Sequence, residues 1–219
     1  MTSEKISQYS TKTPEYFLGA RVDFVSRLPI NYTAKILEIG CSSGGTGALA
    51  LSEGKCGSYT GIDIMPQAVE IAKTKLSKVI LTDLDTNFPN IEHQQFDALI
   101  ASEIFEHLRD PWTVLAKLMP LLKPGAIVLA SSPNIAHKNV INNLKKGDFN
   151  YEDMGVMDRT HLRWFTPNSF QELFSDAGLI VTDLFPISPL KIRHKLIAKF
   201  LPNGQKTFWR QICIEARKP

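Results

Sequence analysis

Cysteine is scarce in this chain, and the few cysteines lie far apart. Cys41, Cys56 and Cys213 make an odd number, and no pair has the C-x-x-C spacing of a zinc or redox site. This pattern argues against a fold held together by a framework of disulfide bonds. This cysteine usage favours a reducing compartment, so we predict a cytoplasmic location.

Long apolar runs and a strong charge of either sign are also missing. No apolar stretch approaches the length of a membrane span, and the polar residues 1–5 are unlike a signal peptide. The formal net charge of +3 is too small to indicate a nucleic acid or membrane partner. With 219 residues and no internal repeat, the chain is long enough to bury a substantial core, so a single domain over residues 1–219 is expected.

The centre of the chain alternates apolar runs with helical patterns, which is typical of a parallel sheet covered by helices on both faces. The predicted strands lie near 35–39, 58–63, 78–82, 96–101 and 125–131, and the predicted helices near 45–53, 66–76, 103–107 and 111–122. A helix over 170–178 and strands over 179–185 and 207–217 follow. The last strand alternates in part, which suits an antiparallel partner.

Two segments lie outside this alternation. Residues 1–28 form an N-terminal lead, in which 14–28 are predicted to be an amphipathic helix. Its candidate buried residues are Phe17, Val22, Phe24 and Val25. Residues 134–165 form an insertion after the fifth strand. Loops beyond the carboxyl ends of parallel strands carry specificity in open α/β sheets, so we expect this insertion to cover the substrate.

A turn of very small residues joins the first strand to the first central helix. The strand contains an acid, Glu38, and the turn contains Gly40 and Gly44. Small residues let the backbone come close to a ligand, and the helix N-terminus that follows offers N–H groups and a positive dipole. The second strand ends in Asp63, 23 residues after Gly40, an offset that suits a carboxylate binding the two hydroxyls of a ribose. The sequence therefore predicts a nucleoside site.

Four motifs, in order over roughly residues 30–135, resemble those of class I S-adenosylmethionine-dependent methyltransferases. In the first motif, Ser42 takes the place of the usual middle glycine. The resemblance implies S-adenosylmethionine as cofactor and a Rossmann-like, doubly wound α/β fold. Its sheet would have seven strands, mostly parallel, with an antiparallel last strand. The residues implied for cofactor binding are Glu38, Gly40, Cys41, Ser42, Gly44, Asp63, Ile64, Asp83, Leu84 and Ser102.

Other nucleotide-binding classes fit the glycine turn less well. A nicotinamide dehydrogenase of the G-x-G-x-x-G type needs glycine at position 42, where this chain has serine. A Walker-type phosphate site needs Gly-Lys-Ser/Thr after the turn, and this chain does not have that sequence there. Two roles stay open within the methyltransferase interpretation. Asp63 could instead cap the helix that begins near Pro66, and either Asp83 or Asp85 could meet the adenine.

A second group of chemically active residues follows the fourth strand. Glu103, Glu106 and His107 would share one face if this stretch were helical. Two carboxylates and an imidazole are costly together without water or a cation, and such a set suits Mg²⁺ or Mn²⁺. His161, 54 residues after His107, could supply a fourth ligand.

The Glu-x-x-Glu-His spacing resembles two subfamilies, the small-RNA 3′-end 2′-O-methyltransferases and the ubiquinone-pathway O-methyltransferases. The resemblance implies Glu103, Glu106, His107 and His161 as Mg²⁺ ligands, with His107, His161 and Glu106 as the catalytic candidates. A bound cation lowers the pKa of a hydroxyl and orients it for methyl transfer. A metal-free interpretation stays open, in which the acids stabilise a helix N-terminus and His161 acts as general base.

Residues 150–166 are similar to a bacterial group of methyltransferases found alongside glycosyltransferases in surface-polysaccharide biosynthesis. This resemblance implies an O-methyltransferase that acts on a hydroxyl of a sugar or glycan precursor, with a small-molecule or saccharide acceptor. The alternatives are an RNA 3′-terminal or a quinone or phenol O-methyltransferase, and a non-catalytic cofactor-binding partner subunit. RNA is disfavoured because the net charge is weak and no basic-aromatic platform is evident.

Overall fold

The fold is built on one seven-stranded sheet. A computed structural model describes residues 19–192, 194, 198–199, 201 and 204–219. The strands are β1 (Lys35–Ile39), β2 (Ser58–Asp63), β3 (Lys78–Leu81), β4 (Phe96–Ser102), β5 (Leu122–Pro133), β6 (Ile180–Pro186) and β7 (Gln211–Arg217). Their order across the sheet is β3-β2-β1-β4-β5-β7-β6. Strand β7 is antiparallel to β5 and β6, and all other pairs are parallel.

Helices flank this sheet and connect its strands. They are α1 (Val22–Arg27), α2 (Gly45–Ser52), α3 (Pro66–Ala72), α4 (Pro111–Leu118), α5 (Lys138–Lys145) and α6 (Pro167–Asp176), with 3₁₀ turns at Phe105–His107, Met119–Leu121 and Gly204–Phe208. Proline at the first helical position starts α3, α4 and α6, where its missing N–H leaves no bond unmade. None of the helices described is long and apolar enough to cross a membrane.

Both faces of the sheet are covered, because successive side chains of each strand point to opposite sides. Leu37 of β1 belongs to a buried cluster that includes residues of α4 and α6. Its neighbour Ile36 belongs to a second cluster, with residues of α1 and α2. The Phe170 and Phe174 rings, 5.1 Å apart, pack α6 onto the first cluster. The predicted fold, a mostly parallel seven-stranded sheet between two helical layers, is confirmed.

The strand order determines where a ligand can bind. From β1 the chain passes outward to β2 and β3, and it then returns to β4 on the other side of β1. In open parallel sheets, such a reversal leaves a crevice outside the carboxyl ends of the strands. The glycine turn follows β1 and Glu103 follows β4, so both predicted site segments lie beside this crevice.

The predicted helix over 103–107 is wrong. The structure has only the 3₁₀ turn Phe105–His107 there, and Glu103 has a left-handed φ of 52°. The Glu103 N–H donates to Ser131 O at 3.1 Å, so bonding to β5 continues one residue beyond β4. This tertiary hydrogen bond replaces the first helical turn that the local sequence predicts.

Other boundaries also differ from the predictions. Val22, expected in the core, is 61% exposed, whereas Phe24 and Val25 are fully buried. Phe17 lies outside the described residues. The last strand begins at Gln211, because the preceding residues form a 3₁₀ turn. The insertion contains a helix, α5, that the sequence analysis did not predict.

Candidate active site

A cleft of about 760 Å³ opens at the carboxyl ends of the central strands. Its walls come from the N-terminal lead, the glycine turn, the end of β2, the segment after β4 and the insertion over 134–165. The predicted site residues that line it are Glu38, Gly40, Cys41, Ser42, Asp63, Ile64, Ser102, Glu103, Glu106, His107 and His161. The fold therefore brings the predicted cofactor residues and the predicted chemical residues into one cleft.

The glycine turn presents backbone directly to the cleft. Gly40 and Ser42 have left-handed φ angles of 71° and 49°. A Cβ at Gly40 would approach Ile104 Cδ1 to 3.2 Å, so a side chain has little room there. The N–H groups of Gly40 and Cys41 both donate to Ile62 O, which fixes the turn against β2. Ser42 therefore occupies a left-handed position at which glycine would be unstrained.

Asp63, at the end of β2, is a carboxylate held by backbone donors at the cleft. Its Oδ2 accepts from Ser42 N–H at 2.7 Å, and its Oδ1 accepts from Met65 N–H at 2.8 Å. Burial raises the pKa of this carboxyl, and the N–H donors oppose the rise. Met65 leads into α3, so Asp63 supports the helix start while it lines the cleft. The two roles that the sequence left open for Asp63 are compatible.

Glu38 is a buried carboxyl beneath the turn. Its Oε2 accepts from the Tyr59 hydroxyl at 2.9 Å, and it forms a second hydrogen bond with the Thr46 side chain. Burial raises the pKa of Glu38 to about 8, and the two hydrogen bonds offset only part of that rise. Since its partners lie on β2 and α2, Glu38 ties together the elements that form the turn.

Arg21, which sequence reasoning missed, lies across the ends of three strands. Its guanidinium pairs with Asp23 at 2.7 Å and donates to Ser102 Oγ at 2.5 Å and to Ser131 Oγ at 2.6 Å. It also approaches Cys213 Sγ at 3.4 Å. These strand contacts are 81 to 192 residues away along the chain, so no local pattern marks Arg21. The residue places a positive charge on the cleft wall.

Three residues implied for cofactor binding do not line the cleft. Gly44, with a φ of 77°, serves as the turn into α2. Leu84 lies in the hydrophobic core. Asp83 is buried, and its Oδ1 accepts from Asp85 N–H at 3.1 Å. Asp85 in turn accepts from Arg109 N–H at 3.0 Å, so both acids organise the loop after β3.

Glu106, His107 and His161 form a compact buried cluster. One possible ligand atom from each lies within 4.8 Å of the others. The main chain keeps this arrangement, because Glu106 O accepts from the N–H groups of Leu162 and Arg163 at 2.8 and 3.0 Å. The insertion thereby brings His161 to residues at the end of β4.

Both histidines of the cluster direct one ring nitrogen to a backbone carbonyl. His107 Nδ1 lies 3.2 Å from Thr160 O, and His161 Nδ1 lies 3.1 Å from Val156 O. A carbonyl oxygen can only accept, so these contacts favour hydrogen on Nδ1 and the lone pair on Nε2. Metal-binding histidines commonly have this arrangement, because the outer hydrogen bond fixes the tautomer and the ring orientation.

Glu106 has an unsatisfied oxygen inside the protein. Its Oε2 accepts from Ser132 Oγ at 3.1 Å, whereas Oε1 is buried without a hydrogen-bond partner among the described residues. Burial, and then repulsion from Glu103, raises the pKa of Glu106 well above its ordinary value. A buried carboxylate oxygen without a partner is costly, so a cation or a proton would stabilise it.

Glu103 does not join this cluster. Its carboxyl hydrogen-bonds with Ser131 and Gln211 instead, near Arg21. The left-handed backbone at Glu103 breaks the helical geometry that would have aligned it with Glu106 and His107. Of the four predicted metal ligands, the structure brings three together.

The cleft fits an adenosyl cofactor by its chemistry. Asp63 can accept from the hydroxyls of a ribose, and the crowded Gly40 turn lets backbone approach a ligand. A methyltransferase domain family matches residues 11–184 of the chain, which therefore belongs to that family. The chain is an S-adenosylmethionine-dependent methyltransferase.

The methyltransferase is similar to ubiquinone biosynthesis O-methyltransferases. It is 28% identical to that of Xylella fastidiosa (strain M23) over 197 residues, covering 82% of this chain and 75% of the relative. With that of Hydrogenovibrio crunogenus it is 24% identical over 186 residues, covering 80% and 75%. An S-adenosylmethionine-dependent methyltransferase structure from Mesorhizobium loti has a TM-score of 0.64 at 14% identity, covering 91% of this chain and 98% of that one. At that identity, the structural likeness shows the fold alone.

Proposed function

We propose that this methyltransferase methylates one hydroxyl of an acceptor that carries two neighbouring hydroxyl groups. The observation that carries the proposal is the cluster of Glu106, His107 and His161 in the same cleft as Asp63. Oxygens on adjacent carbons can bind one divalent cation together, and oxygen ligands suit such an ion. A catechol-type phenol has this arrangement and an acidic hydroxyl, so we infer it as the acceptor class.

Residues on the glycine-turn side of the cleft would hold the cofactor. Asp63 would accept from the ribose hydroxyls. Arg21 orders the neighbouring cleft wall, because its five side-chain N–H groups all donate to Asp23, Ser102, Ser131 and Cys213. The cofactor supplies an electrophilic methyl group when bound. The protein's contribution is to place the acceptor hydroxyl in line with that group.

Glu106, His107 and His161 fit a divalent ion such as Mg²⁺ or Mn²⁺. Their oxygen and nitrogen donors match the preferences of these ions, and the partnerless Oε1 of Glu106 gives a reason for a cation there. When bound, the ion would lower the pKa of the acceptor hydroxyl. The carbonyls of Thr160 and Val156 keep the histidines oriented toward this task. A neutral histidine could also accept the hydroxyl proton directly.

The relatives favour a phenol over the sugar acceptor that residues 150–166 predict. Both reported relatives are named ubiquinone biosynthesis O-methyltransferases, which supports a quinone-type or phenol acceptor for this chain. The sugar acceptor has no comparable support. The third alternative, a non-catalytic cofactor-binding subunit, is disfavoured because Glu106, His107 and His161 come together and line the cleft.

Calorimetry with S-adenosylmethionine tests the cofactor part of the proposal. The parent protein should bind it with a Kd of roughly micromolar size. Asp63→Ala should abolish measurable binding, because the ribose hydroxyls lose their acceptor. Asp176→Ala is the matched control, since Asp176 is an exposed carboxylate at the end of α6. Equal binding by the two variants would remove Asp63 from the cofactor site.

Methyl transfer to a panel of catechol, phenol and nucleotide sugars tests the acceptor and the metal together. Catechol should be methylated in preference to phenol, and a chelator should reduce turnover until Mg²⁺ or Mn²⁺ is restored. Glu106→Gln keeps the shape of the side chain but weakens the charge, so it should raise the metal concentration needed for half-maximal activity by at least about tenfold. Chelator-insensitive turnover that Glu106→Gln leaves unchanged would refute the metal.

A further inference from the structure

Four basic side chains with no role assigned above gather at one part of the cleft wall. His137 and Arg210 line the cleft itself. Lys138 and His194 lie behind them against the ring of Phe208, with Lys138 Nζ 5.2 Å and the His194 ring 4.5 Å from its centre. We call these four residues the basic end of the cleft.

Asn134 joins the two chain segments that supply this basic end. The residue is fully buried, and its Nδ2 donates to Lys206 O at 3.0 Å and to Trp209 O at 2.9 Å. Its backbone N–H donates to Arg210 O at 3.0 Å. The segment before β7 is therefore fastened to the start of the insertion, and Arg210 is held beside His137 by the main chain.

Arg210 and Lys138 are the two permanently charged residues of the basic end. Arg210 and Lys138 take part in none of the ion pairs among the described residues. The pKa of His137 is lowered, first by burial and then by the positive charges of Arg210, Lys138 and His194. No described acid opposes these effects. Arg27 shows the contrast, because that structural arginine has Asp183 and Glu215 each at 2.9 Å.

Hydrogen-bond donors at the basic end match an anion. His137 Nδ1 accepts from Asn139 N–H at 3.3 Å, so the neutral ring carries its hydrogen on Nε2, where it is a donor. Asn139 and Asn143, one turn apart on α5, line the same part of the cleft and offer side-chain amides. A guanidinium with imidazole and amide donors is the chemistry that recognises phosphate and carboxylate.

We infer that Arg210 and His137 bind an anionic group, a phosphate or a carboxylate, on the methyl acceptor, with Lys138 adding positive charge behind them. The identity of the acceptor in this inference rests on the proposed function, whereas the anion site itself does not depend on it. The proposed metal site at Glu106 and the basic end lie in one cleft, so one acceptor could contact both. The acceptor would thus carry a negative group as well as the hydroxyl that is methylated.

Titration with simple anions tests the site without any methyl transfer. Inorganic phosphate and benzoate are added separately while the histidine ring signals are followed by NMR, with His137 assigned from the spectrum of His137→Gln. A saturable shift of the His137 signal is expected. The anion that binds more tightly shows whether the site prefers a phosphate or a carboxylate. Arg210→Gln should weaken that binding at least about tenfold, because a charge-assisted contact is lost.

Arg217→Gln is the matched control for Arg210→Gln. Arg217 lies at the other end of β7 and is half-exposed, so this variant removes the same charge far from the cleft. Its anion affinity should stay within about twofold of the parent value. No saturable shift at His137 with either anion, or equal weakening in the two arginine variants, would overturn the anion site.

A pair of acceptors tests whether the anion belongs to the substrate. The parent should methylate 3,4-dihydroxybenzoate with a kcat/KM at least about tenfold above that for 3,4-dihydroxybenzamide. Arg210→Gln should lose this preference, and Arg217→Gln should keep it. Equal use of both acceptors by the parent would overturn the link to the acceptor. If neither is methylated while S-adenosylmethionine and phosphate still bind, the catechol class fails and the anion site stands.

Discussion

Replacing Glu38 with glutamine tests the electrostatics beneath the glycine turn. Glu38 is 2% exposed, and burial raises its pKa from an ordinary value of 4.5 to about 8. Between these values, the carboxyl is ionised in the unfolded chain but protonated in the folded protein, so unfolding releases a proton. The free energy of unfolding of the parent must therefore fall as the pH rises through this window.

The size of the effect follows from the difference between the two pKa values. One pKa unit corresponds to about 1.4 kcal/mol. The titration of Glu38 should therefore lower the free energy of unfolding by about 3 kcal/mol as the pH rises from about 5 to about 7.5. Glu38→Gln keeps an oxygen that accepts from Tyr59, and its amide has no charge to titrate. The variant should therefore gain about 3 kcal/mol relative to the parent across this interval.

Urea unfolding without cofactor, followed by tryptophan fluorescence at several pH values, measures this difference. Glu172→Gln is the matched control, because Glu172 is exposed on α6 and its loss removes the same charge from the surface. The control should follow the pH dependence of the parent. A stability difference between Glu38→Gln and the parent that does not change with pH would refute a protonated, buried Glu38 in the folded protein.

Three further predictions concern packing, capping and the thiols. Gly47→Val should lower the free energy of unfolding by about 2 kcal/mol in urea titrations, because a Cβ at Gly47 would overlap Leu76 and the ring of Tyr59. Thr166→Ala should cost about 1 kcal/mol in the same assay, since it removes the capping box of α6, and Thr166→Ser should restore most of that loss. Burial raises the pKa of all three cysteine thiols, Cys213 to about 12, so Ellman's reagent should label them only after denaturant is added. Rapid labelling of the folded protein would contradict the buried thiols.

The sequence predicts the central sheet well because the relevant signals are local. The apolar runs of β1 and β2 match the predicted bounds, 35–39 and 58–63, residue for residue. Gly40 and Asp63 lie at the cleft because each directly follows or ends a strand, and parallel strands place those ends at one edge. In this half of the chain, local pattern and tertiary structure agree.

Glu103 shows where local pattern fails. The acid-rich stretch that begins there is typical of a helix N-terminus, and the metal prediction depended on helical spacing. In the structure, Glu103 N–H bonds to Ser131 O, and the backbone takes a left-handed φ of 52° instead. A contact 28 residues away in sequence outweighs the local helical preference, and no window of neighbouring residues reveals it.

Arg21 and Arg210 show the second limit of sequence reasoning. Each is one arginine among many, and neither belongs to a motif. Their roles come from tertiary placement, Arg21 across the ends of β4, β5 and β7, and Arg210 beside the insertion through Asn134. Such residues could be found from sequence only by co-variation with their distant partners.

The reversed direction of β7 separates the two ends of that strand. Gln211 pairs with Pro133 beside the cleft, whereas Arg217 pairs with Ile127 near the opposite edge of the sheet. The next residue after Arg217, Lys218, accepts at its backbone oxygen from Gly125 N–H at 2.9 Å, which holds the backbone at the edge opposite the cleft. Seven residues of strand span roughly 20 Å. A dye or surface tether attached at the Arg217 end of β7 would therefore lie on the side remote from the ligand entrance, and the enzyme could be immobilised there with its cleft open.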